Sequence, residues 1–153
     1  MANSFWDNIA YFKPTERNIF KKPAFPEPNT INPAIVYILD KLREETTTII
    51  IHSTNEKDTE HVKGSQHYLD NAIDFHIKNM NFIDAIEKVI TLTTVYAFLD
   101  RPLHDYMGIG IYPDWNNPGF HLDFRGYQAS WGRIGNNYVS FDEALKYALD
   151  KFK

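Results

Sequence analysis

The sequence contains no cysteine among its 153 residues. Disulfide bonds and thiolate metal sites are therefore excluded, and only histidine and carboxylate side chains remain to bind a transition metal. No stretch approaches the eighteen or more apolar residues that a membrane-spanning helix requires. An excess of positive charge is also missing, because the formal net charge is −4. The composition thus gives no reason to expect a nucleic-acid or anionic-membrane partner.

The N-terminus lacks the features of a secretory signal. Its first residues, "MANSFWDNIAYFKP", have no basic start followed by an apolar run. We therefore expect the chain to be made in the cytoplasm, so that any action outside the cell depends on a separate means of release.

What the sequence does contain is the composition of an ordinary globular domain, with 43% hydrophobic and 24% charged residues. We expect residues 1–153 to form one α+β domain. Residues 1–33 are interpreted as an extended lead-in, since residues 21–33 hold four of the eight prolines.

Capping residues and apolar spacing predict three helices in this domain. We expect them from Pro33 to about Glu45, from Asn81 to about Leu99, and from Ser140 towards the C-terminus. Strands are predicted at residues 46–53, 71–77, 108–112 and 119–125, where β-branched runs or alternating apolar residues occur.

Two of these strands carry polar side chains on one face. The strand period of two places His121, Asp123 and Arg125 together, while Asp74 occupies the polar face of residues 71–77. His67 belongs to the loop just before that strand. Two histidines and one carboxylate leave the fourth position of a tetrahedral zinc ion open, as catalytic zinc requires. On spacing alone, the alternative is a histidine hydrogen-bonded beside a turn.

Longer motifs then point to a family. The segment "SQHYLDNAID" (residues 65–74) resembles the signature S-x-H-x-x-G-x-A-x-D of the M15 family of zinc D-Ala-D-Ala carboxypeptidases and L,D-endopeptidases. The segment "GFHLDFRG" and the later "SW" resemble its second signature, H-x-D followed by Arg and Trp. "YFKPTE", "INPAIVYILDKLREE" and "IIIHS" are similar to the opening of its phage and bacterial branch, so that the resemblance extends from about Tyr11 to Trp131.

This resemblance implies a small antiparallel sheet flanked by helices, as in zinc D-Ala-D-Ala carboxypeptidases. It implies one Zn²⁺ ion bound by His67, Asp74 and His121. The implied activity is hydrolysis of amide bonds in peptidoglycan stem peptides or cross-links. Short members of the family are often phage endolysins that reach the bacterial cell wall through a holin-made hole in the membrane, and we expect that location here.

The sequence departs from the family at three positions. Asp70 replaces a glycine at a turn that we expect to be left-handed, a conformation that Asp tolerates. Glu56 stands where the family has an arginine that holds substrate. Pro118 stands where several members have a glutamate base. Glu56 would repel the terminal carboxylate of a carboxypeptidase substrate, so it favours internal cleavage over removal of a terminal D-alanine. Glu56 and Pro118 also leave open an alternative function, a metal-stabilised binding or virion component with weak or no activity.

Asp123 is the best candidate for the missing base, and its alternative role is to orient a ligand histidine. Arg125 is expected to clamp a substrate carboxylate, to stabilise an oxyanion or simply to pair with Asp123. Further residues expected near the site are four histidines and three aromatic residues, for which surface or core positions are the alternatives: His52, His61, His76, His104, Tyr112, Trp115 and Trp131. The oligomeric state does not follow from the sequence.

Overall fold

The computed structural model describes residues 4–46, 48–57, 61 and 63–152. Within these residues there are three α-helices: α1 (Pro33–Glu45), α2 (Phe82–Val95) and α3 (Phe141–Lys151). The strands are β1 (Ile49–Ser53), β2 (Ala72–Ile77), β3 (Ala97–Phe98), β4 (Arg101–Pro102), β5 (Gly108–Tyr112), β6 (Gly119–Asp123), β7 (Ala129–Ile134) and β8 (Asn137–Val139). Thr47, which belongs to the strand predicted at residues 46–53, lies outside the described residues.

Six of these strands form one mixed sheet in the order β1-β2-β6-β5-β7-β8, and β3 pairs with β4 separately. Neighbouring strands of the large sheet are antiparallel except for β5 and β7, which are parallel. The α+β class is confirmed, but the expected small, wholly antiparallel sheet is wrong in size and in this one pair. After β6 the chain passes β5 and adds β7 on its far side, which makes β7 parallel to β5.

The predicted starts of the helices are confirmed by their caps. Asn32 Oδ1 accepts a hydrogen bond from the backbone N–H of residue 34 (2.9 Å), and Asn81 Oδ1 accepts one from that of residue 83 (2.8 Å). Ser140 Oγ accepts one from the N–H of Glu143 (3.1 Å). Each cap satisfies an N–H group that has no partner within the helix.

The second helix ends earlier than predicted, at Val95 rather than near Leu99. Tyr96 has an extended backbone, and Leu99 has a φ of 58° between the short strands β3 and β4. The apolar periodicity continues through residues 96–99, but these side chains are exposed rather than buried, so the pattern extends beyond the helix.

One hydrophobic cluster joins the helices, the sheet and the N-terminal segment. Leu39 from α1, Val89 from α2 and Phe75 from β2 belong to it and are almost fully buried. The predicted lead-in contributes Phe12 and Phe25, so residues 4–33 pack against the same core. No helix among the described residues is long and apolar enough to cross a membrane.

Candidate metal centre

The register of the two central strands brings Asp74 and His121 side by side. They are directly opposite one another in the β2–β6 pair, and both project from the face of the sheet opposite the apolar residues Ile73 and Leu122. Opposed residues of antiparallel strands have Cβ atoms about 5 Å apart, so their side chains touch. Asp74 Oδ1 lies 2.9 Å from His121 Nδ1.

His67 reaches the same place from a one-turn 3-10 helix, Gln66–Leu69, that precedes β2. Ser65 Oγ caps this turn by accepting from the N–H of His67 (3.2 Å). Asp70 ends the turn with a φ of 59°, so the replaced glycine position is left-handed as expected. Its carboxylate accepts hydrogen bonds from Asn55 (2.9 Å) and Lys57 (2.8 Å), which hold the turn in place.

The two ring nitrogens of His67 have different partners. Nδ1 lies 2.5 Å from the carbonyl oxygen of Thr54, and because a carbonyl only accepts, Nδ1 carries the proton. In the neutral ring Nε2 then presents a lone pair. This buried atom makes no hydrogen bond, although Asp74 Oδ2 is 3.1 Å away. Two electron-rich atoms facing each other at this distance form an arrangement that a bound cation stabilises.

The spacing of these atoms suits a small metal ion. Two ligand atoms of a tetrahedral zinc with bonds of ~2.0–2.1 Å lie roughly 3.3 Å apart. Ligand atoms of His67, Asp74 and His121 all lie within 4.8 Å of one another, and the two carboxylate–imidazole distances are 3.1 and 2.9 Å. All three residues therefore fit a shared metal ion, and the set of two imidazoles and one carboxylate is one that zinc uses.

Asp123 contacts His121 from the side away from Asp74. Its Oδ2 lies 2.7 Å from His121 Nε2 and 2.6 Å from Arg125 Nη2. Its Oδ1 accepts from Arg125 Nε (2.8 Å) and from the N–H of Gly108 (3.1 Å). A carboxylate that accepts from the distal N–H of a ligand histidine fixes the ring and raises its basicity. Asp123 has the geometry of such a partner, and Arg125 is the residue that holds it.

The acidities of these groups follow from their contacts. Burial by itself raises the pKa of Asp123, but hydrogen bonds from Arg125 and His121 lower it to about 2. Burial lowers the pKa of His121, whereas its hydrogen bonds to Asp123 and Asp74 raise it to about 9. Burial alone raises the pKa of Asp74, but the neighbouring imidazoles of His67 and His121 hold it well below its ordinary value. Both carboxylates are therefore ionised at neutral pH.

A cavity of about 540 Å³ opens over the three residues. Aromatic side chains form part of its walls, and the predicted Tyr112, Trp115 and Trp131 are among them. The Tyr112 hydroxyl accepts a hydrogen bond from Trp131 Nε1 (2.8 Å), which connects β5 to β7. The described residues that line it include three cations, Lys63, Arg125 and Arg133, but Asp74 as the only carboxylate.

The other predicted histidines differ in position. His61 lines the cavity and stacks on His67, with ring centroids 3.9 Å apart. His52 Nε2 lies 2.6 Å from His76 Nδ1, so these two pair with each other beside the site. His104 lies 3.0 Å from Asp105 and does not line this cavity.

A second group of possible ligands is formed by Glu56, His61 and His67. It shares His67 with the first group, but Nδ1 of that ring is already bonded to Thr54. The remaining nitrogen lies beside Asp74, so the first group is the better candidate for a metal site. Glu56, at the position of the family's arginine, accepts from the N–H of Thr54 (2.8 Å) and is not among the described residues that line the cavity.

Sequence reasoning missed Arg133, Tyr138, Tyr127 and Lys63, all of which line the cavity. For Arg133 a signal was present. Trp131 and Arg133 alternate along residues 129–134, and the following Gly135-Asn136 pair is a typical two-residue hairpin turn.

Comparison with protein-family models, with curated proteins and with solved structures found no match for this chain. The interpretation of the site therefore depends on the motifs and on the geometry described above.

Proposed function

We propose that the chain is a zinc-dependent peptidase that hydrolyses amide bonds in peptidoglycan stem peptides or cross-links. The observation that carries this proposal is the convergence of His67, Asp74 and His121 at the floor of an open cavity. The M15-like signatures predict these three residues as the ligand set. The residues belong to one turn and two strands, and it is the fold rather than the order of the sequence that brings these segments together.

The chain's own residues take distinct roles in this proposal. His67, Asp74 and His121 hold the ion, which when bound supplies Lewis acidity and lowers the pKa of a water molecule to roughly 7. Asp123 keeps the proton on Nε2 of His121, so that Nδ1 faces the site. The aromatic side chains of the cavity wall offer flat surfaces to a peptide.

The contacts of Asp123 bear on the choice between its two predicted roles. A general base needs an oxygen within reach of the reacting water. Asp123 is fully buried, and both of its oxygens have partners. This arrangement favours the orienting role.

Internal cleavage remains the preferred mode. A carboxypeptidase has to hold the terminal carboxylate of its substrate with a cation. Arg125, which lies near the ligands, already makes two hydrogen bonds to Asp123, so its charge is largely compensated. An endopeptidase has no such requirement, because its substrate continues past the scissile bond.

The test combines metal content with wall hydrolysis. Protein purified without added metal is expected to contain about one zinc per chain by elemental analysis, and His121→Ala is expected to lose it. Purified cell walls should release peptide fragments, identified by mass spectrometry, and a chelator should abolish this release. His104→Ala is the matched control, since this histidine lies outside the cavity.

The alternative is a binding or virion component on the same scaffold. It is favoured by Pro118, which cannot replace the glutamate base. It is also favoured by the contacts of Asp123, whose carboxylate is already bonded to His121 and Arg125. Stoichiometric zinc with no release of wall fragments would support this alternative and contradict the peptidase proposal. A His121→Ala variant with full zinc content would contradict the ligand assignment itself.

A further inference from the structure

Arg133 is a cation of the cavity that has no acidic partner within the part of the chain that the structure describes. It lies on β7, two residues after Trp131, so both side chains are on the same face of the strand. Both line the cavity that contains His67, Asp74 and His121. No carboxylate among the described residues forms an ion pair with Arg133. Its Nη2 makes a long contact of 3.5 Å with Asn136.

The surroundings of Arg133 hold its side chain in place without neutralising it. The guanidinium lies over the ring of Tyr138, 5.4 Å from the centroid, and Tyr138 is opposite it in the β7–β8 pair. Its Nε is buried and has no hydrogen-bond partner in the described part of the chain. A buried N–H without a partner is costly, so a ligand that accepts from this side chain gains more than it would at an exposed arginine.

Arg125 provides a useful contrast within the same cavity. Its Nε and Nη2 both donate to Asp123, at 2.8 and 2.6 Å, so its carboxylate-binding edge is already used. In Arg133 the corresponding edge faces no carboxylate of residues 4–46, 48–57, 61 and 63–152. The planar guanidinium matches a carboxylate with two parallel hydrogen bonds, which a lysine does not reproduce.

The charges around the cavity also favour an anionic ligand. The whole chain has a net charge of −4, yet the described lining residues include three Lys or Arg and one Asp. Binding of a divalent cation by Asp74 and the two histidines would make the cavity still more positive. The ring of Trp131, on the same face of β7 as Arg133, is centred 5.2 Å from the ring of His121, which connects this face to the proposed ligands.

We propose that Arg133 is a binding site for a substrate carboxylate, and that the cavity selects acidic peptides through it. The choice of a stem peptide as the ligand rests on the proposed function. The binding of a carboxylate by Arg133 does not require that the peptide is hydrolysed. A stem peptide offers two such groups, the free α-carboxylate of its γ-linked D-glutamate and the carboxylate of its C-terminus. Both present the same chemistry to Arg133. Binding of the glutamate carboxylate agrees with internal cleavage, whereas binding of the C-terminal carboxylate would favour removal of a terminal D-alanine.

The experiment uses four forms of one peptide, L-Ala-γ-D-Glu-L-Lys-D-Ala-D-Ala. The internal carboxylate is either free or a carboxamide, and the terminal carboxylate is varied in the same way. Binding to the full chain is measured by tryptophan fluorescence, because Trp115 and Trp131 line the cavity. Chelator-treated protein prevents turnover during the titration, and zinc-loaded protein is assayed in parallel for cleavage.

We expect the wild-type protein to bind one carboxylate form on the order of 10-fold or more tightly than its carboxamide. Arg133→Gln should remove that preference while leaving carboxamide binding unchanged, and Arg133→Lys should retain part of it. Arg101→Gln is the control, because Arg101 is exposed, pairs with Asp105 and does not line the cavity. Loss of preference at the internal position assigns the subsite to the glutamate carboxylate, and loss at the terminus assigns it to the C-terminal one.

Failure of this inference differs from failure of the proposed function. If zinc-loaded protein cleaves no peptide but carboxylate preference disappears in Arg133→Gln, the binding site stands and the peptidase proposal falls. If cleavage occurs but Arg133→Gln weakens acid and amide forms equally, Arg133 has only a structural role and the inference is overturned. Absence of carboxylate preference in the wild-type protein overturns it as well.

Discussion

Asp123 has two candidate roles that a single substitution distinguishes. It is fully buried between His121, Arg125 and the N–H of Gly108, and its pKa is lowered to about 2. Orientation of a ligand histidine and proton transfer from water both require an ionised carboxylate. They differ in what is lost when the carboxylate becomes an amide.

We predict that Asp123→Asn binds zinc about 10- to 100-fold more weakly, the usual effect of losing a partner of a ligand histidine. Any hydrolytic rate should return when excess zinc is supplied. The measurements are zinc titration against a competing chelator and the rate of peptide cleavage at rising zinc concentration. Full zinc affinity with a rate reduced about 10²-fold or more, and no rescue by zinc, would instead assign the base role to Asp123.

Asp105→Asn is the matched control for this experiment. Asp105 also contacts a histidine and an arginine, His104 at 3.0 Å and Arg101 at 3.1 Å. This second Asp–His–Arg arrangement lies outside the cavity. Its removal is therefore expected to leave zinc affinity unchanged, so that any effect common to both variants reflects stability rather than the site.

Asp114 connects three parts of the chain that are distant from one another in the sequence. It lies in the loop after β5, and its Oδ1 accepts from Tyr147 (2.7 Å) and Lys151 (2.8 Å) of α3. Its Oδ2 accepts from the N–H of Gly135 (2.7 Å) in the β7–β8 turn. This single carboxylate thus fixes α3 and the β7–β8 hairpin relative to the cavity wall.

We predict that Asp114→Ala lowers the free energy of unfolding by about 1–3 kcal/mol at pH 7, since it removes a shared partner of three donors. Burial alone raises the pKa of Asp114, but its hydrogen bonds with Lys151, Tyr147 and Gly135 lower it to about 2. A depressed folded-state pKa adds stability that is present above the unfolded value of 3.8 and is lost as the pH falls through 2. The difference between variant and wild type should therefore shrink from pH 4 towards pH 2.

Denaturant titrations over this pH range measure the effect. Glu44→Ala is the control, because its pair with Lys41 is about half exposed and surface pairs contribute little. An equal loss of stability in both variants at pH 7 would show that the connection through Asp114 does not stabilise the fold.

Much of this arrangement was predictable from local signals, and the exceptions have physical causes. The proximity of His67, Asp74 and His121 agrees with the prediction, because the strand period and the motifs each concern residues close in sequence. The pairing of β7 with β5 depends on contacts between distant segments, which no local pattern records. Gly132 illustrates this, since a Cβ atom there would lie 2.1 Å from that of Ala144 in α3. This glycine permits the helix to pack on β7, and in the sequence it only weakens the strand signal.

The three candidate ligands lie where separate segments of the chain meet. His67 belongs to the turn before β2, Asp74 to β2 and His121 to β6, and these two strands are at the centre of the β1-β2-β6-β5 part of the sheet. Their pairing places the ligands on one face, while the opposite face is part of the hydrophobic core. A metal ion that binds all three residues therefore binds the folded chain far better than the unfolded one, and its binding energy adds to the stability of the fold.

We therefore predict that zinc raises the thermal midpoint of the metal-free protein. A ligand at 100 times its Kd adds about 2.7 kcal/mol, which corresponds to roughly 5–10 °C for a domain of this size. Calorimetry of chelator-treated protein with and without zinc measures the shift. His67→Ala and His121→Ala should each lose most of it, whereas His52→Ala should keep it, because His52 bonds to His76 rather than to the three ligands. A shift that persists in both ligand variants would place the bound zinc elsewhere, and the pair Glu56 and His61 would then be the next residues to replace.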